Sequence, residues 1–93
     1  METTYNDRIC GWASTFIRRL GYDVRFNWTD EANYSDVSLR DTHYHNFIGD
    51  FDTATAALRW AIDTKLADRP EEYEAMMSEI EATAPELYNA LTR

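Results

Sequence analysis

One cysteine, two prolines and three glycines in 93 residues leave little from which to build a stapled, fibrous or loop-rich chain. Cys10 has no second thiol to pair with inside the chain, which excludes a disulfide framework and makes a reducing cytoplasm the expected compartment. No apolar stretch approaches the roughly 18–20 residues needed to cross a bilayer. The start, Met1-Glu2-Thr3-Thr4, lacks the basic and apolar regions of a signal peptide, so a soluble, intracellular protein is expected. Basic residues are also scarce. Nine Lys and Arg stand against seventeen Asp and Glu, a formal charge of −8. Nucleic-acid binders and anionic-membrane binders need a basic footprint, so neither is expected as a direct partner. A basic protein surface is the natural counterpart.

What the chain does have is apolar and aromatic material. At 44% hydrophobic and 14% aromatic it can offset its backbone entropy, and its length suits a single domain over residues 1–93. Tyr5, Ile9, Trp12, Ala13, Phe16, Ile17 and Leu20 recur at helical spacing, predicting a helix from about Thr4 to Leu20, with Gly21 as its C-cap. The period then changes to two. Tyr22, Val24, Phe26 and Trp28 alternate with polar residues in a half-buried strand, and Thr29 to Asn33, including Ala32, reads as a turn. A second strand runs from Tyr34 to Arg40, with Val37 and Leu39 facing the core. A third is drawn from Thr42 to Phe51, where Gly49 suggests a bulge or bend.

Asp52 or Thr53 is expected to cap the next helix, whose inner face carries Ala54, Ala57, Leu58, Ala61 and Ile62. Asp68-Arg69-Pro70 opens a further helix with the stripe Tyr73, Met76, Met77, Ile80 and Ala84. Ala84-Pro85 restarts the chain into a short last helix. The expected fold is α+β, a three-stranded antiparallel sheet with helices packed on one face, in the order α-β-β-β-α-α.

Three features bear on function. Asp41, His43 and His45 would face one way if they lay on a strand, which makes them the candidate metal ligands; a solvated or partner-facing role competes with that reading. Cys10 has no base fixed beside it and reads as a packed thiol, and no catalytic or cofactor motif is found, so no cofactor and no enzyme activity are expected. The acidic pattern is the third. Between Asp68 and Glu86 lie Glu71, Glu72, Glu74, Glu79 and Glu81, with only Arg69 opposing them in sequence, whereas an ordinary surface helix intersperses signs. Asp30, Glu31 and Asp36 form a second cluster around the first hairpin. Tyr34, on the opposite strand face from Val37 and Leu39 by strict alternation, is expected as an exposed aromatic anchor among these acids, with Tyr44 sharing its face. Trp60 lies off its helix stripe, and the chain folding back over it competes with exposure.

The α-β-β-β-α order resembles that of the double-stranded-RNA-binding domain, but the helix that should carry a lysine cluster has only Arg59 and Lys65. The stretch from Phe47 to Trp60, with its Phe51-Asp52-Thr53 step and a tryptophan nine residues after Phe51, resembles the strand-to-helix step of small acidic phage-encoded proteins, anti-CRISPR inhibitors among them. That resemblance implies a non-catalytic inhibitor in the host bacterial cytoplasm. It would occupy a basic, nucleic-acid-binding surface of a CRISPR-Cas defence complex, in some cases as a DNA mimic. A self-associating subunit, joined through the third strand's edge or Trp60, and a metal-binding module or enzyme on Asp41, His43 and His45 are the alternatives.

Overall fold

A computed structural model describes residues 3–4, 7–31 and 33–93. The first helical pattern forms α1 (Asp7–Arg19), shorter than expected at its start, because Thr3–Thr4 form a two-residue strand, β1. Tyr5 and Ala32, placed by the sequence in the helix stripe and the turn, lie outside the described residues. The alternating segments form β2 (Tyr22–Trp28), β3 (Asn33–Asp41) and β4 (Phe47–Phe51). Three helices follow: α2 (Ala54–Lys65), α3 (Pro70–Thr83) and α4 (Pro85–Thr92).

The sheet is antiparallel and centred on β3. β2 pairs along one edge, from Tyr22↔Asp41 to Trp28↔Tyr34. β4 and β1 occupy successive stretches of the other edge, β4 opposite Val37 to Arg40 and β1 opposite Asn33 and Tyr34. The helices cover one face. Ile17, Val37, Leu39, Leu58, Ile62, Ile80, Leu87 and Leu91 are the largest side chains wholly removed from water, and they belong to one continuous core. The opposite face stays polar, with Asn27 donating to Asp36 (2.6 Å) and Ser38 donating to Asp50 (2.6 Å) across the strands. That is the α+β arrangement expected from the periodicities, with α4 as a separate element after Pro85.

Two bulges reset which side chains face inward. Asn27 is opposite Asp36 but Trp28 is opposite Tyr34, so Ser35 is an extra residue in β3. Its hydroxyl lies 3.3 Å from the Asn27 carbonyl oxygen. One extra residue reverses the parity of everything beyond it. Tyr34 therefore points into the core with Val37 and Leu39. The second irregularity sets Leu39 opposite Gly49 but Arg40 opposite Phe47, leaving Ile48 extra, one residue from the glycine that signalled a bend. Phe47 consequently shares Arg40's open face and is 56% exposed.

The third strand begins later than the sequence suggested. Asp41 Oδ1 accepts from the backbone N–H of His43 (2.7 Å) and of Tyr44 (2.8 Å), and His45 adopts a left-handed φ of 60°. Residues 42–46 are therefore a turn, which delays β4 to Phe47. Thr53, not Asp52, caps α2: its side chain accepts from the Ala56 N–H at 3.0 Å. Trp60 is half-buried against Tyr22 and Phe51, with ring centroids 5.5 and 5.7 Å away. It seals the sheet–helix seam and is not an open contact surface.

Candidate interaction surface

The acidic residues of α3 divide by helix geometry. At 100° per residue, Glu71, Glu74 and Glu81 fall within an arc of about 80°, while Glu72 and Glu79 lie together on the opposite flank, separated from the first group by the buried Ile80 side. The flank of Glu72 and Glu79 looks into a groove of about 540 Å³ that α3 forms with the C-terminal ends of α1 and α2, floored by Leu20, Leu66 and Met76.

Inside that groove the charges are internally matched. Arg19 grips Glu79 with both guanidinium nitrogens, at 2.5 and 3.1 Å. This bidentate hydrogen bond holds the Glu79 carboxyl below its ordinary range and raises the Arg19 guanidinium further. Arg69 reaches Glu72 at 3.4 Å. Lys65 places its Nζ 5.0 Å from the Tyr22 ring centre, a cation–π contact. The sequence expectation that no cation meets the glutamates after Arg69 is therefore corrected for Glu79, whose partner lies sixty positions away. Glu86 is likewise taken up by Arg8 at 3.1 Å. Glu71, Glu74 and Glu81 differ. All three are exposed, and among the described residues none has a cationic partner.

The hairpin acids serve the hairpin first. Asp30 accepts from the Asn33 N–H at 2.9 Å and from its side-chain amide, closing the β2–β3 turn. Asp36 accepts from Asn27 on the open sheet face. Glu31 stands exposed at the tip. The hairpin acids follow Trp28, whereas Glu72 and Glu79 line a groove with Lys65, which sits on Tyr22 at the other end of β2. A strand of that length spans roughly 20 Å, so these two groups do not meet.

Tyr34 is not an exposed anchor. It is 3% exposed, its ring meets Phe26 and Trp28 edge-on at 5.2 and 5.9 Å, and its hydroxyl accepts from the Ala54 N–H at the start of α2 (3.4 Å). Burial pushes its phenol above the ordinary range, partly offset by the Ala54 N–H, with the nearby Cys10 thiol raising it further. The large apolar side chains that do face water are Trp28 (47%), Phe47 (56%) and Tyr44 (71%). Tyr44 was anticipated. Trp28 and Phe47 are not expected from the sequence: Phe47 owes its exposure to the Ile48 bulge, whereas Trp28 keeps the inward parity of Phe26, packs on Phe26 and Tyr34, and is still half open to water at the end of β2.

Asp41, His43 and His45 do not converge. Because they lie on a turn, the same-face rule for alternate strand residues does not apply to them, and the Asp41 carboxylate is occupied by two backbone N–H groups. Among the described residues no group of three or more His, Cys, Asp or Glu is placed to hold a metal ion. Those N–H bonds, that of Tyr44 foremost, hold the Asp41 carboxyl below its ordinary range. An NMR titration of this carboxyl should accordingly show a midpoint below the reference of about 3.9. A midpoint at or above that reference would remove the turn-closing role. By linkage, a lowered folded-state pKa stabilises above the unfolded value and loses its contribution as pH falls through the folded one.

Cys10 is buried, in the core next to α1's inner face. No helix among the described residues is long and apolar enough to cross a membrane. Comparison with family models, curated proteins and solved structures gives no match for this chain.

Proposed function

We propose that this chain is a non-catalytic, protein-binding inhibitor whose acidic helix α3 docks on a basic surface of a nucleic-acid-binding complex. The observation that carries the reading is the stripe of Glu71, Glu74 and Glu81, exposed together and, among the described residues, in no ion pair. Like charges spaced three, seven and ten apart repel one another along a helix, a cost that a Lys- or Arg-rich partner would relieve. Asp68 precedes the stripe, also exposed and without a cationic partner among the described residues, and Glu31 offers a second negative point on the hairpin. The resemblance of residues 47–60 to phage-encoded inhibitors directs the choice of partner to a bacterial CRISPR-Cas complex, with the carboxylates standing in for phosphates.

The test is affinity capture with the tagged protein from bacteria expressing their CRISPR effector complexes, eluted along a salt gradient and identified by mass spectrometry. The expected result is a nucleic-acid-binding complex released at moderate salt, because rim charges are screened within about 8–10 Å at physiological ionic strength. Added DNA should compete with the protein for that complex if the acidic stripe lies in the DNA path. Capture that resists high salt would contradict a charge-led interface.

A further inference from the structure

The two outer edges of the sheet are built differently. β4 is five residues long, interrupted by the Ile48 bulge and preceded by the left-handed His45, all features that discourage pairing with another strand. β2 offers seven residues, without proline or glycine, and its ladder with β3 is regular from Tyr22 to Asn27. Among the described residues β2 pairs with β3 alone, so alternate N–H and C=O groups along its other side have no strand to meet. The apolar layer is also unfinished there. Val37 and Leu39 on the central strand are fully buried, whereas Val24 and Phe26, opposite them on β2, are only half-buried.

We propose that this edge recognises itself: β2 pairs antiparallel with β2 of a second copy, in a register centred on Val24. The charges select that register. Centred on Val24, Asp23 of each copy faces Arg25 of the other, Val24 faces its counterpart, and Phe26 comes beside Tyr22. Centring on Asp23 or on Arg25 would set like charges directly opposite, which is unfavourable, and centring on Phe26 leaves Arg25 opposite a neutral Asn27. The Val24 register also matches residues of equal parity, so over residues 22–26 the outward N–H and C=O groups of one strand meet their complements on the other. Asp23 and Arg25 are both exposed, and neither enters an ion pair among the described residues. The proposal stands independently of the partner of α3.

Sedimentation from about 10 µM to about 1 mM protein should show a reversible dimer. The single variants D23R and R25D should each self-associate at least about tenfold more weakly, because each sets like charges opposite. An equimolar mixture of the two should restore the dimer, since the pairs then become Arg–Asp again. Val24→Cys adds a register-specific readout, with oxidation expected to link two copies covalently. A native protein that stays monomeric throughout overturns the proposal, as does a mixture of the two folded variants that remains monomeric. If either charge variant fails to fold by circular dichroism, the native mass and the Val24→Cys cross-link decide.

Discussion

Replacing Tyr34 with alanine should destabilise the protein by about 3–5 kcal/mol, the usual cost of removing a large ring from a packed interior. The ring is almost wholly buried, meets Phe26 and Trp28 edge-on, and joins β3 to the first residue of α2 through its hydroxyl. Tyr34→Phe keeps the ring and removes the hydroxyl, which has a long hydrogen bond from the Ala54 N–H and a contact with the Cys10 thiol, so its cost should stay within about 1.5 kcal/mol. Urea denaturation of both variants measures the contrast. An exposed contact residue would behave differently, with Tyr34→Ala falling within about 0.5 kcal/mol of the native protein. That outcome would return Tyr34 to the surface and remove the Ser35 bulge from the account.

The second large effect concerns association. Neutralising Glu71, Glu74 and Glu81 together, as E71Q/E74Q/E81Q, should slow binding to the basic partner about tenfold or more at low salt. It should leave the fold intact, because none of the three carboxylates bonds another described residue. E72Q with E79Q removes the same kind of charge from the groove side of the helix, where Arg69 and Arg19 already neutralise it. That pair should change the association rate little, and its main effect should be to loosen α3 from α1. Surface plasmon resonance at two salt concentrations separates the two sets. Equal slowing by both would mean that net charge, and not the stripe, steers the encounter.

Much of the architecture was legible because periodicity is local. The stripe from Ile9 to Leu20, the alternation from Tyr22 to Trp28 and the small-residue face of Ala54, Ala57 and Ala61 each state their burial in the order of their residues. Tyr34 escaped because parity is counted along a strand, and the single extra residue Ser35 resets the count without any glycine or proline to announce it. Thr42 to Asn46 escaped for a related reason: Asp41 folds its carboxylate onto the next N–H groups, and a turn closed by a side chain looks in sequence like more strand. The metal reading fell with it. The acidic candidates were legible as a group but not as individuals. Sequence shows seven acids between Asp68 and Glu86; only tertiary structure shows that Arg19 and Arg8, from α1, take Glu79 and Glu86 out of the available set. The stripe that remains is Glu71, Glu74 and Glu81.

The most direct test of the account is a matched capture with two baits, the native protein and E71Q/E74Q/E81Q, from the same bacterial lysate at about 50 mM salt, where charge steering is least screened. The account predicts that the native bait enriches a basic, nucleic-acid-binding complex and that the neutralised bait loses most of it while keeping the native circular dichroism spectrum. Equal recovery by both baits, or no such complex with either, would contradict the claim that the free acidic stripe of α3 is the working surface.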